Sequence, residues 1–266
     1  MKAKKRDRIV FKFGSGILAA THGKGLAKKQ FTRLATEIAT LVKAGYECVI
    51  VSSGAVAAGL SSMGLKDRPE DLASRQACAA VGQSKLMQAY EAAFKKHGLS
   101  VAQLLLTHSD VDSRLRSSNA HNTLERLLAA RTVVPIINEN DSVAVEELRF
   151  GDNDRLSAEV ALLVRADLLI ILTSVDGLLD AKGRVISKVP AIDAVTSLVK
   201  NEKGRFSVGG MQTKLEAVRM AVDAGISTVI ASGIKPGQIP GIVAGKTLGT
   251  RFGDFQETKR LDQKPA

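Results

Sequence analysis

Residues 31–59 read FTRLATEIATLVKAGYECVIVSSGAVAAG, and their succession decides the fold class. Phe31 to Lys43 carries apolar residues at helical spacing, Gly45 offers a helix terminator that tolerates positive φ, and Cys48 to Val51 is a short β-branched run of the kind buried in a sheet. The chain then turns at Ser52-Ser53-Gly54 straight into another stretch of small helical residues. The same sequence of helix, glycine and strand recurs. Helical spacing covers Ser74–Lys96, Ser117–Ala130, Asn153–Val164 and Met211–Ala224, and strands are expected at Ile9–Phe13, Val101–Leu106, Val133–Ile137, Leu168–Leu172 and Thr228–Ala231. Gly98 and Gly225 repeat the role of Gly45. Such alternation predicts an α/β protein with a mostly parallel central sheet sandwiched between helix layers. Small hairpins are expected at Ser142–Gly151 and Leu178–Val189, the second turning at Lys182-Gly183, and the polar tail from Gly253 is expected to fray.

Composition narrows the function. With 266 residues, 45% of them hydrophobic, the chain can bury one large core or two lobes sharing a sheet. Cys48 and Cys78 are the only cysteines, in no metal-like spacing, which fits a reducing cytoplasm better than a disulfide framework. The apolar run Ile9–Phe13 is broken by Lys12 and too short for a signal segment, and no stretch approaches a membrane span. The net charge of +11 invites a nucleic-acid reading, yet the segment Met1–Arg8 alone holds five basic residues and one acidic. Aromatics make up 4% of the chain with no Trp, so stacking platforms are scarce and no nucleic-acid partner is expected.

Four segments carry chemistry. Lys12-Phe13-Gly14-Ser15-Gly16 ends the first strand and reads either as a phosphate cradle or as a tight turn with an exposed lysine. Ser52 to Gly59 offers free N–H groups at a helix start, or an ordinary serine cap. Asn138-Glu139-Asn140-Asp141 and Gly151-Asp152-Asn153-Asp154 flank one hairpin; separately they are common turn chemistry, together they supply a carboxylate for an ammonium group and amides for a carboxylate. Gly209-Gly210-Met211-Gln212-Thr213-Lys214 opens a helix with glycines and places a lysine in its second turn, again either a phosphate site or a solvated helix. The spacing of Gly14, Gly16 and Ala19 also satisfies a dinucleotide fingerprint. That reading wants a helix at once and an acidic end to the second strand, whereas Ala20–Gly25 reads as a loop and the strand ends in Ser52-Ser53-Gly54. No Walker A run occurs, and the spacing of a Ca²⁺ loop is missing.

In this order the segments resemble the amino acid kinase family over Arg8 to Phe252. The run Ile-Asn-Glu-Asn-Asp (137–141) followed by Gly-Asp-Asn-Asp (151–154) is most similar to the branch that phosphorylates glutamate. The resemblance implies the amino acid kinase fold over 1–252, with a glutamate-binding lobe at about 1–160 and a nucleotide-binding lobe at about 161–252. It implies ATP-dependent phosphorylation of the side-chain carboxylate of L-glutamate, with Mg²⁺ riding on the ATP phosphates. Lys12 and Lys214 would hold the phosphoryl group while Asp154 orients both. Ser53, Gly54, Asp141 and Asn153 would hold glutamate. Lys12, Gly14, Thr173, Ser174, Gly209, Gly210, Met211 and Lys214 would face the nucleotide, and no protein residue is expected to be a metal ligand. A homo-oligomer inhibited by proline is implied, as is a catalytic domain without the pseudouridine-synthase and archaeosine type of domain that many relatives append. Two departures stand out: Ser174 occupies a position that is usually Asp, and Leu179-Asp180-Ala181-Lys182 replaces the usual Asp-Pro after Asp-Gly-Leu.

Overall fold

The computed structural model describes residues 7–20, 25–144, 153–193, 195 and 210–253. Eight strands form one sheet: β1 (Arg8–Phe13), β2 (Glu47–Val51), β3 (Ser100–Leu106), β4 (Val133–Glu139), β5 (Leu168–Thr173), β6 (Lys188–Val189), β7 (Ser227–Ser232) and β8 (Thr250–Phe252). Their order is β3-β4-β2-β1-β5-β7-β8-β6, and every pairing is parallel except β7 with β8. Nine helices lie among the described residues: α1 (Ser15–Leu18), α2 (Lys28–Lys43), α3 (Ala55–Gly59), α4 (Leu72–Phe94), α5 (His108–Asp112), α6 (Arg114–Ala130), α7 (Asp154–Leu163), α8 (Met211–Asp223) and α9 (Gln238–Val243).

Strand side chains alternate between two apolar layers, as a period of two demands. Ile9, Phe11 and Phe13 of β1 join Cys48, Ile50, Ile170 and Leu172 under α2 and α4. Val10 joins Val49, Val51, Leu169 and Ile171 on the other face, under α6, α7 and α8. Arg8 and Lys12 share the parity of Val10, so β1 has a cation at each end of the face that α7 covers. The central strands are fully buried, which is why they read as continuous apolar runs.

The expected strands are all present within two residues of their predicted ends. Gly45, Gly98 and Gly225 have φ of 95°, 74° and 78° at the expected helix exits. The predicted turn at Lys182-Gly183 closes a bridge between Leu179 and Val185, with the Asp180 carboxylate accepting from the Lys182 and Arg184 N–H groups. Most of the hairpin predicted at Ser142–Gly151, most of the Ala20–Gly25 loop and nearly all of the polar tail lie outside the described residues. A single helical turn does start at Ser15, but it ends after Leu18, where an Ala19–Leu26 bridge turns the chain, and the long helix waits until Lys28.

Chain order fixes where a ligand would lie. From β1 the chain steps to β2, goes out to β3 at the edge and returns to β4 between them, then crosses to β5 and β7 on the other side of β1. The strand order therefore reverses direction between β1 and β5, and a crevice opens at their carboxyl ends.

Candidate active site

Lys12 is the penultimate residue of β1 and pairs across the sheet with Val51 and Ile171. Its Nζ lies 2.5 Å from Asp154 Oδ1, while Lys214 Nζ lies 2.9 Å from Asp154 Oδ2. Asp154 is completely buried and Lys12 is 3% exposed, so these charges interact through protein rather than water. Asp154 opens α7, where the helix dipole favours a carboxylate, and buried Leu156, Val160 and Ala161 hold that helix on the sheet. Thr213 Oγ1 donates to Asp154 Oδ2 over 3.2 Å, fixing the start of α8 to the same carboxylate. Two ammonium groups sharing one carboxylate leave the trio net positive.

A second set of groups joins β2, β4 and α4. Asn153 Nδ2 donates to the Ser52 carbonyl and, over 2.7 Å, to Asn138 Oδ1; Asn138 Nδ2 donates over 2.8 Å to Gln83 Oε1. The direction of this chain is fixed at one end, because a backbone carbonyl can only accept. Gln83 Nε2 is consequently a buried donor without a hydrogen-bond partner among the described residues. The Ser52 hydroxyl lies 2.8 Å from Tyr90 Oη, and burial raises the phenol's pKa against the opposing hydrogen bond, so Tyr90 stays protonated. Cys48 is held neutral in the same way, its thiol raised first by burial and then by Glu47.

The α3 start differs from the serine cap considered from sequence. Gly54 is the N-cap, at φ 102°, and no side chain caps the helix. Close packing holds α3 there: a Cβ on Gly59 would meet Cys78 O at 1.9 Å, and one on Gly82 would meet Ala55 O at 1.8 Å. Small residues on both helices are what bring the α3 backbone against α4.

Ser53, Gly54, Asn153 and Lys12 are therefore gathered at the carboxyl edge of β1 and β2. Gly14 donates its N–H to Leu172 O over 3.2 Å, and a Cβ on it would stand 3.9 Å from Lys12 Nζ, so its backbone lines the same crevice. Asp141 lies in the turn after β4, within electrostatic reach of Arg68. Thr173 ends β5, with its carbonyl accepting from Gly233 N–H over 2.7 Å, and Ser174 follows, exposed. Gly210 caps α8 and Met211 packs on the core, while Gly209 lies outside the described residues. Sequence reasoning missed Tyr90 and Gln83. Gln83 looks like one polar residue of a long helix, and only the approach of β4 gives its amide a role.

A model described as the amino acid kinase family matches residues 7–232. The chain belongs to this family. Its similarity to curated members is specific: it is 46% identical to the glutamate 5-kinase of Citrifermentans bemidjiense over 94% of this chain and 68% of that protein. For the glutamate 5-kinases of Myxococcus xanthus and Bacillus mycoides the identities are 45% and 43%, over 92% and 94% of this chain and 66% and 70% of theirs. The chain thus spans about two thirds of the length of these curated relatives. Solved structures of similar fold include a carbamate kinase from Giardia, at TM-score 0.66 and 18% identity over 94% of this chain and all of that one. Another is the N-acetylglutamate synthase of Neisseria gonorrhoeae, at TM-score 0.65 and 15% identity over 93% of this chain and 62% of that one. Identities this low establish the shared fold alone.

Proposed function

We propose that this amino acid kinase transfers the γ-phosphoryl group of ATP to the side-chain carboxylate of L-glutamate, giving glutamyl 5-phosphate, the first step of proline biosynthesis. The observation that carries the reading is the bridging of Lys12 and Lys214 by Asp154 at the switch point of the sheet. The glutamate carboxylate is already ionised at neutral pH and attacks phosphorus without a general base. A P–O bond forms to the carboxylate as the bond from γ-phosphorus to the bridging oxygen breaks, and ADP leaves. What the protein must add is alignment and positive charge where negative charge gathers in the transition state.

In this reading Lys12 and Lys214 neutralise the phosphoryl oxygens and Asp154 keeps both ammonium groups aimed. The Gly14 and Gly210 to Met211 backbones line the phosphate path, Gly209 is assigned to the phosphates from the sequence alone, and Thr173 with Ser174 borders the nucleotide. Ser53, Gly54, Asp141 and Asn153 hold glutamate, with the chain from Asn153 through Asn138 to Gln83 fixing the amide that faces it. The residues do not fit a protein-held Mg²⁺: among the described residues no three His, Cys, Asp or Glu side chains cluster, and Asp154 has an ammonium group on each oxygen. The ion belongs to the MgATP substrate. Glutamate binding is assigned to the lobe at about 1–160 and nucleotide binding to about 161–252. We also assign the chain to the cytoplasm, as a homo-oligomer sensitive to proline; among the described residues no helix is long and apolar enough to cross a membrane.

The test is trapping with hydroxylamine in the presence of MgATP. Glutamate should give the hydroxamate, with aspartate and N-acetylglutamate far behind. Equal or better signal with another acid would move the acceptor assignment, and no signal with any would remove the kinase reading.

A further inference from the structure

Between the first half of α6 and the end of α7 lies a groove of about 400 Å³, lined by Arg114, Ser117, Ser118, His121 and Arg165 over a floor that includes Leu163. From this lining we infer a second anion site, one that takes a small phosphate-bearing molecule. It lies beyond the far end of α7 from Asp154, roughly 15 Å away at 1.5 Å per helical residue.

Three observations carry the site. The lining holds two guanidinium groups, an imidazole and two hydroxyls but no carboxylate. Neither Arg114 nor Arg165 forms a side-chain ion pair among the described residues. Glu125, which is in electrostatic reach of His121 and Arg165, is already taken by Arg8 over 2.5 Å. On the other flank, Asp110 is engaged by the Thr107 cap and by Arg116.

The second observation concerns dipoles. The start of α6 favours an anion, whereas the end of α7 would repel one unless its carbonyls were covered. They are covered. His121 Nδ1 donates to Leu163 O over 2.9 Å, and Arg8 donates to Val164 O. A carbonyl only accepts, so the proton of neutral His121 sits on Nδ1.

Third, Arg165 has φ 50°, a left-handed conformation that is unfavourable for a side chain and that helix ends usually give to Gly or Asn. A guanidinium kept in that conformation at the mouth of a cationic groove suits phosphate, whose oxygens accept several N–H and O–H donors at once.

The substitution Arg165→Gly removes the charge and suits the backbone, so the double variant Arg114→Gln/Arg165→Gly should fold and keep its phosphotransfer rate. Pyrophosphate, titrated calorimetrically without Mg²⁺ or nucleotide, is the probe. Wild type is expected to show two binding events, Lys214→Ala to keep the groove event, and the double variant to lose it or weaken it at least tenfold. A single event in wild type that Lys214→Ala abolishes, or two unchanged events in the double variant, would overturn the site. Neither result depends on what the transfer centre phosphorylates.

Discussion

The two ends of strand β1 carry cations of the same parity, Arg8 and Lys12, and the protein treats them differently. At the amino end, the Arg8 guanidinium donates from Nε and Nη2 to Glu47 Oε2 over 2.9 and 2.7 Å, and reaches Glu125 and the Val164 carbonyl as well. Acids outnumber the base there, and the planar fork knits β1, β2, α6 and α7 together. At the carboxyl end, two ammonium groups share the buried Asp154. Like charges held together in a dry site cost stability, and such a cost is expected where a phosphate must be received. The amino end holds the fold; the carboxyl end is arranged for chemistry.

The largest expected effect that breaks this contrast is on turnover. Lys214→Ala should lower kcat about 10²- to 10³-fold, as loss of one preorganised transition-state donor does, with little change in melting temperature. A steady-state assay beside a melt checks both. The next effect is on folding. Gly82→Ala drives a Cβ into the Ala55 carbonyl and should cost about 1–3 kcal/mol of stability, displacing the α3 start and raising the KM for glutamate more than that for ATP. Smaller again, Arg8→Ala should cost about 2 kcal/mol, the scale of hydrogen bonds to charged groups, read by denaturant unfolding, while kcat per folded molecule stays at the wild-type value.

The smallest effect sharpens the comparison through pH. The hydrogen bond from Arg8 holds the Glu125 carboxyl below its ordinary value of 4.5. A carboxylate depressed in the folded state stabilises fully above its unfolded pKa and loses that contribution as pH falls through the folded one. Wild type should therefore lose stability as pH drops below about 4.5, and Arg8→Ala should show a shallower loss over the same window, measured as unfolding midpoint against pH.

Much of the fold was legible because parallel strands buried on both faces leave unbroken β-branched runs, and because Gly45, Gly98 and Gly225 mark the helix exits. Strand β8 and helix α9 were not, since Pro236, Gly237, Pro240, Gly241, Gly245 and Gly249 make the segment read as irregular chain. Of the site, the phosphate-type segments at Lys12 and Lys214 stood out by their glycines. That Asp154 joins them came from family resemblance, because nothing local in a Gly-Asp-Asn-Asp turn says that its last carboxylate will be buried between two lysines. Gln83 stayed hidden in a helix whose polar residues look solvated.

The central claim is that Lys12 and Lys214 act on one phosphoryl group. A double-mutant cycle on kcat/KM, with Lys12→Met, Lys214→Met and the pair, tests it most directly. Residues serving one transition state are strongly non-additive, so the double variant should be little worse than the poorer single one. Losses that simply multiply would contradict a shared site.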